Sequence, residues 1–259
     1  MCGIIGLFGY EDTAERIKKG LYLMRHRGKD GQGFGDGKET YQTPPDKKDL
    51  IAHNLHAIVN HVLQPIKGRF VMNGEIYNHE QLNERFGLDA KNDAETAFHL
   101  IELLGFQEAI KHFDGPFAIA YWKDDSVFLA RDILGIKPLF FNPKAFASEN
   151  DVLEKLTGQS FELNPRKICI ISLKDQTYTL EKRDFFRCNE METRDIPKEL
   201  KERLYAAIKK RIPDKKIGLL FSGGIDSTFL ALVLKELGIP FTCYTAGVSS
   251  ERLEIVRFD

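Results

Sequence analysis

Cys2 is the residue best placed to do chemistry, because it directly follows the initiator methionine in Met1-Cys2-Gly3-Ile4-Ile5-Gly6-Leu7-Phe8-Gly9. Its side chain is small, so an aminopeptidase can clip Met1 and leave a free α-amine beside the thiol. An α-amine titrates near ~7.7–8, so a share of it is neutral at cytosolic pH and can act as base for the thiol on the same residue. The plainer reading of Cys2 taken alone is a buried cysteine on a first strand. A second candidate is Ser222-Gly223-Gly224-Ile225-Asp226-Ser227, which follows the apolar run Ile217–Phe221. Two glycines there let the backbone approach an anion closely, and a following helix presents unpaired N–H groups and a positive dipole end. Ser222 and Ser227 add hydroxyl donors. The loop lacks the Gly-Lys-Ser/Thr ending of a Walker A motif. Its plainer reading is a strand–helix turn whose Ser and Asp cap the helix.

The elements that must position these residues are legible in outline. Residues 2–9 read as a buried strand, and a helix follows over about 12–24 with Ile17, Leu21 and Met24 at helical spacing. Arg25 to Gly37 is rich in glycine and charge and reads as loop. Short strands recur at Leu50–Asn60, Phe70–Asn73, Phe117–Trp122, Val127–Arg131, Leu139–Phe141, Lys167–Ser172 and Tyr178–Lys182. A helical stretch at about Ala94–His112 interrupts them. Beyond residue 190, Ile196, Leu200, Leu204, Ile208 and Ile212 mark an amphipathic helix stopped by Pro213-Asp214. Strand, glycine loop, helix over Phe229–Leu237, and a strand at Phe241–Thr245 then open a parallel α/β sheet.

Composition bounds the setting. With 259 residues, 42% hydrophobic and 29% charged, the chain is that of a soluble globular protein of one large or two ordinary domains. Its net charge of −1 leaves no electrostatic footprint for nucleic acid or an anionic membrane. No apolar run approaches the ~18 residues of a membrane span, and no signal peptide is read at the start. Cys2, Cys169, Cys188 and Cys243 form no CxxC pair, so neither a disulfide framework nor a zinc site is expected, and the reducing cytoplasm is the expected compartment. His53, His56 and His61 invite a metal or base assignment but have no ligand spacing, and read as satisfied loop histidines.

The Ser222–Ser227 loop resembles the pyrophosphate-binding loop of the ATP pyrophosphatases. The rest of the chain resembles glutamine-dependent asparagine synthetase and its relatives, with Cys2 at the position of the N-terminal nucleophile of class II glutamine amidotransferase domains. Arg25-His26-Arg27-Gly28-Lys29-Asp30-Gly31 is similar to the family's Arg-His-Arg-Gly-Pro-Asp loop, with Lys29 replacing Pro. Asn73-Gly74-Glu75-Ile76-Tyr77-Asn78 resembles its oxyanion-hole segment, and Asn92-Asp93-Ala94-Glu95-Thr96 the Asp-x-Glu segment that holds the glutamine amino group. Asp114–Ala118, Ala130–Leu139 and Phe146–Glu149 continue the likeness in order. The resemblance implies an α+β N-terminal-nucleophile αββα sandwich over 2–190, then over 191–259 a linker helix and the start of an α/β ATP-pyrophosphatase domain. It implies Cys2, Asn73 and Gly74 as catalytic residues, and Arg27, Glu75 and Asp93 around glutamine. Phe221, Ser222, Gly223, Gly224, Asp226 and Ser227 would bind ATP, with Mg2+ accompanying it through ligands not identifiable in this chain. Taken alone, Asn73-Gly74 also suits a hairpin turn, Asp93 a helix N-cap, and Arg131-Asp132 a charge pair anchoring loops beneath the site.

The family's His-x-Arg-Leu segment, whose arginine clamps the glutamine α-carboxylate, reads His53-Asn54-Leu55-His56 here. Leucine cannot replace a bidentate guanidinium; either Arg27 or a nearby lysine takes that task, or glutamine binds weakly, or the donor is a different amide. The second departure is length, since the chain stops 32 residues after Ser227. The short C-terminal part is expected to dock on the N-terminal domain, to be completed by a partner chain, or to belong to a fragment of a longer protein, with a homodimer also expected and Leu253, Ile255, Val256 and Phe258 an apolar tail. The full scheme joins ammonia from glutamine to aspartate activated by ATP as β-aspartyl-AMP. Two other readings stand beside it: an amidotransferase component for a different acid with its acceptor domain on a partner, and a non-catalytic paralogue acting as a binding or regulatory module.

Overall fold

The computed structural model describes residues 1–57, 62–184, 195–213, 215–248 and 253–258. The chain divides into two compact units, Met1–Arg187 and Cys188–Asp259. The boundary expected at residue 190, with Cys188, lies outside the described residues, as does His61.

The first unit begins with β1 (Gly3–Phe8), α1 (Thr13–Leu23), β2 (Gly31–Gly35), β3 (Thr40–Tyr41), β4 (Asp49–Leu55) and β5 (Phe70–Gly74). It continues through α2 (His79–Phe86), α3 (Asp93–Leu104), α4 (Phe106–Ala109), β6 (Phe117–Lys123) and β7 (Ser126–Arg131). After β8 (Phe140–Asn142), β9 (Ala145–Ala147) and α5 (Asn150–Thr157) come β10 (Phe161–Glu162), β11 (Lys167–Ser172) and β12 (Thr177–Lys182). Among the described residues these strands form a seven-stranded sheet, β10-β8-β9-β1-β4-β2-β3, and a five-stranded sheet, β12-β11-β7-β6-β5.

Side-chain alternation along each strand makes four layers of these elements. Ile5 and Leu7 of β1, with Leu50 and Ala52 of β4, face Ile17, Leu21 and Met24 around α1 and Leu153 of α5. Ile4 and Phe8 of β1, with Ile51 of β4, point the other way, against Val71, Ala118, Ala120 and Trp122 of the second sheet. Phe70 and Met72 of β5, with Phe117, Ile119 and Tyr121 of β6, turn to Ala97, Phe98 and Ile101 of α3. Three apolar interfaces stack helix, sheet, sheet, helix: the αββα sandwich expected from the sequence. Burial on both faces also explains why β1 and β6 read as nearly continuous apolar runs.

The glycine-rich stretch after α1 departs from expectation, because Gly31–Gly35 is a strand and not a loop. A Cβ on Gly33 would lie 2.1 Å from the Gln64 carbonyl oxygen, and one on Gly35 2.3 Å from that of Gly68. Glycine there permits a close backbone crossing. The helical stretch at Ala94–His112 breaks at Gly105, whose φ of 82° closes α3 before the short α4. Asn73-Gly74 ends β5 and pairs with Ala118 and Phe117 of β6, so it is not a hairpin turn.

The second unit contains α6 (Ile196–Lys209), β13 (Ile217–Leu220), α7 (Ile225–Glu236), β14 (Phe241–Val248) and β15 (Leu253–Phe258). β13 and β14 are parallel, as the strand–loop–helix–strand pattern requires, and β15 adds antiparallel to β14. The segment expected as an apolar tail is therefore a paired strand. No helix among the described residues is long and apolar enough to cross a membrane.

His53 lies on β4 and is fully buried, which corrects its reading as a loop histidine. Its Nε2 lies 3.1 Å from the Met72 carbonyl oxygen of β5 and so ties the two sheets together. Burial pushes its pKa down to about 4, against the smaller opposing effect of the Met72 bond. A histidine neutral in the fold but titrating near ~6.5 when unfolded lends stability that is present above that pH and lost as pH falls through the folded value. Urea unfolding between pH 7 and 4 should therefore show a loss of order 3 kcal/mol from this group. His53→Gln should flatten that slope.

Candidate active site

Cys2 immediately precedes β1, an interior strand of its sheet paired with β4 and β9. Contacts from Arg27 and His56 fix its peptide and thiol. The Arg27 Nε donates to the Cys2 carbonyl oxygen at 2.8 Å, while its Nη1 reaches the Glu149 Oε1 at 3.1 Å. The backbone N–H of His56 donates to the Cys2 Sγ at 3.3 Å. Burial pushes the Cys2 thiol up from its ordinary range, and the His56 N–H opposes this by favouring thiolate.

The His56 N–H is itself positioned. Asp30 accepts the Ala57 N–H through its Oδ2 at 2.8 Å and donates its own N–H to the Leu55 carbonyl at 3.0 Å. Gly28 lets this loop lie against the end of β4, since a Cβ there would sit 2.6 Å from the carbonyl oxygens of Asn54 and Leu55. The loop from Arg25 to Gly31 thus holds Cys2 from two directions, by Arg27 on its carbonyl and Asp30 behind its sulfur contact. Arg27, expected at glutamine, is buried against Cys2 and Glu149, with its Nη2 unpartnered among the described residues. Sequence cannot distinguish a cation facing substrate from one facing a backbone carbonyl.

From the second sheet, β5 brings Asn73 and Gly74 to the same cavity. Asn73 is 1% exposed, yet neither its Nδ2 nor its Oδ1 has a hydrogen-bond partner among the described residues. An unpaired buried polar group costs ~1–3 kcal/mol. A Cβ on Gly74 would meet the Pro116 carbonyl oxygen at 2.4 Å, so no larger residue fits there. Asn92, not Asp93, caps α3 by accepting the Glu95 N–H at 2.9 Å. Asp93 follows as the first helical residue, accepting the N–H of Ile76 and of Ala94, each at 3.0 Å. Burial raises its pKa, with those N–H groups acting the other way.

The cavity these residues share has a volume of about 60 Å³ and is lined by Cys2, Leu55, Asn73, Gly74, Asp93 and Lys137, among others. Met1 also lines it, so removing that residue would enlarge the space. Glu75 stands at the same wall and donates its N–H to the Pro116 carbonyl at 2.9 Å. Lys137 is a charged lining residue that sequence reasoning does not single out; it lies within Ala130–Leu139, which enters there only as a stretch that continues the family likeness. Arg131 and Asp132 do anchor that loop, although as separate clamps: among the described residues the ion partner of Arg131 is Glu162, at 2.8 Å.

In the second unit, Gly223 has a φ of 76° and open space where a Cβ would be, which exposes its peptide groups before α7. The Ser222 Oγ lies 3.1 Å from the Ser227 Oγ and accepts the Gly224 N–H at 3.3 Å. Phe221 is pinned between strands, its N–H donating to the Tyr244 carbonyl at 2.9 Å and its carbonyl accepting the Thr245 Oγ1 at 2.7 Å. A cavity of about 380 Å³ opens beside Phe221, Ser222, Gly223, Cys243 and Thr245, at the carboxyl ends of the parallel strands, where open α/β sheets bind ligands. Asp226 lies in the first turn of α7. Among the described residues no three His, Cys, Asp or Glu side chains gather to hold a metal ion.

Residues 1–192 match the glutamine amidotransferase domain family, and residues 199–256 match asparagine synthase. A Methanocaldococcus jannaschii relative, provisionally named asparagine synthetase [glutamine-hydrolyzing] 1, is 30% identical, covering 96% of this chain and 54% of its own length. Asparagine synthetase [glutamine-hydrolyzing] of Rattus norvegicus is 26% identical over 97% of this chain and 52% of its own. Asparagine synthetase B [glutamine-hydrolyzing] of Escherichia coli is 29% identical over 91% and 45%. The chain thus spans about half the length of the curated relatives it matches. Among solved structures, the glutamine phosphoribosylpyrophosphate amidotransferase of B. subtilis, complexed with ADP and GMP, has the same fold. The TM-score is 0.59 at 17% identity, over 98% of this chain and 71% of that one. With its first 192 residues matched throughout and a Cys2 cavity at their centre, the chain belongs to the glutamine amidotransferase family, on the side that resembles the glutamine-hydrolysing asparagine synthetases.

Proposed function

We propose that the first unit is a glutaminase whose nucleophile is Cys2. The observation that carries this reading is Asn73, an amide buried without a partner in the wall of the Cys2 cavity. A binding module gains nothing from an unpaired amide, whereas a catalyst uses one when charge develops beside it. This favours the catalytic reading over that of a non-catalytic paralogue.

Once Met1 is removed, the α-amine of Cys2 takes the thiol proton, and the sulfur attacks the side-chain amide carbon of glutamine. The oxygen of the tetrahedral adduct gains negative charge and is held by the Asn73 Nδ2 and the Gly74 N–H. Collapse expels ammonia, with the proton returned by the α-amine, and leaves a γ-glutamyl thioester that water hydrolyses to glutamate. Asp93 pairs with the substrate ammonium, and the Glu75 backbone borders it. Both Cys2 and Asp93 titrate above their ordinary ranges because they are buried. Ionisation of each falls as pH is lowered, so turnover falls on the acid side. A free thiol of this kind suits a reducing compartment such as the cytoplasm.

The second unit, in this reading, receives ATP. Its phosphates would meet the exposed peptides of Gly223 and Gly224, the hydroxyls of Ser222 and Ser227 and the N-terminus of α7, with Phe221 and Asp226 framing the loop. Mg2+ would enter with the phosphates. ATP activates an acid for attack by ammonia, and aspartate is the acid that the resemblance favours, giving asparagine, AMP and pyrophosphate.

Treatment with an electrophilic glutamine analogue should add one label to Cys2, seen by mass spectrometry on protein lacking Met1. Absence of that adduct on correctly processed protein sinks the glutaminase reading. Asn73→Ala should lower kcat for glutamine hydrolysis by ~10²–10³-fold while leaving the urea midpoint unchanged or higher, because no native bond is lost. For the second unit, isotope exchange between pyrophosphate and ATP should depend on aspartate. Exchange that responds to a different acid would reassign the acceptor.

A further inference from the structure

An amino-acid substrate brings an ammonium and a carboxylate as well as the bond to be cleaved. In the Cys2 cavity, Asp93 meets the first of these on the glutaminase reading, on which this inference rests. The second needs a cation. Leu55 stands where a guanidinium would serve; it is 5% exposed and offers an apolar wall. Arg27 is not among the residues lining the cavity; its Nε meets the Cys2 carbonyl and its Nη1 Glu149, and its Nη2 is buried and unpartnered among the described residues. Among the described residues two basic side chains line the cavity, His56 and Lys137. The His56 Nδ1 lies 3.7 Å from the Asp30 Oδ2, on the side of the loop already occupied by a carboxylate. Lys137 has no ion pair among the described residues.

Lys137 is also held with unusual care. Its N–H donates to the Asp132 Oδ2 at 3.0 Å, and its carbonyl accepts the Arg131 Nε at 2.7 Å. Asp132 further accepts the N–H of Leu134 at 3.2 Å and of Ile136 at 3.0 Å, while the Arg131 Nη2 donates to the Gly135 carbonyl at 2.6 Å. Arg131 and Asp132 are 5% and 3% exposed, whereas Leu134 and Ile136 are 65% and 60% exposed. Apolar packing by those two side chains therefore does not fix this loop. Two buried polar side chains grip its peptides, and the residue so gripped presents a cation to the cavity.

We infer that Lys137 is the specificity-determining residue that holds the α-carboxylate of the substrate, with Arg131 and Asp132 as its positioning residues. The cavity is then a receptor for a zwitterion, with Asp93 as its anion and Lys137 as its cation. An ammonium is a point charge without the planar fork of a guanidinium, so the site tolerates more than one carboxylate orientation.

The test compares hydrolysis of L-glutamine with that of its α-amide, which keeps the ammonium and the side chain but lacks the carboxylate charge. Wild-type protein should prefer glutamine in kcat/KM by ~10–100-fold, as expected for a charge-assisted bond. Lys137→Gln should raise KM for glutamine by about that factor with kcat within a few-fold, and should erase the preference; Lys137→Arg should retain it. If Lys137→Gln does not fold, Lys137→Met carries the same expectation. Equal use of the two substrates by wild-type protein overturns the assignment without any variant, and so does an undiminished preference in Lys137→Gln. Wild-type protein that neither hydrolyses glutamine nor takes the Cys2 label refutes the underlying glutaminase reading instead.

Discussion

The hydrogen bond from the Arg27 guanidinium to the Cys2 carbonyl oxygen is the interaction on which the rest of the first unit depends. Cys2 lies just outside β1, beyond the ladder that fixes Gly3, so its orientation is set by contacts from other segments. Pairing of β1 with β4 and β9 fixes Gly3 onward, whereas Cys2 itself is gripped by Arg27 and by the backbone of His56. Arg27 is in turn held by Glu149, just before α5, and His56 by the Asp30 loop. The four-layer stack places these distant segments around one atom.

The second constraint is the meeting of two sheets. Sulfur comes from the first sheet and the Asn73 amide from the second, so the site exists only where the layers are in register. The His53–Met72 contact crosses that interface one residue before Asn73. Buried neutral histidine is an uncommon choice for a core. Here it supplies a directional link that Val71 or Ile51, packed nearby, could not.

Much of this was legible in the sequence. The apolar runs of β1, β6 and β11 marked strands buried on both faces, and the spacing of Ile17, Leu21 and Met24 marked α1. Gly31–Gly35 was not legible, because glycine retained for a close crossing looks the same as glycine retained for a turn. The short helices α2 and α5 were missed, since each buries few side chains and is rich in charge. At the site, Cys2, Asn73, Gly74 and Asp93 were named from sequence and share one cavity, whereas Arg27 stands behind Cys2, on its carbonyl. Lys137 went unnoticed because its significance comes from the Arg131 and Asp132 clamps, and these are visible only in three dimensions.

Gly28 carries a consequence of another kind. Its missing Cβ is what lets the loop bearing Arg27 and Asp30 press against the carbonyls of Asn54 and Leu55. Any side chain at that position would displace the end of β4, and with it the His56 N–H that meets the sulfur. Evolutionary drift at residue 28 is therefore coupled to the surroundings of a thiol it never touches. A lineage could alter the contact at that sulfur while Cys2 and every residue lining its cavity stayed in the gene unchanged.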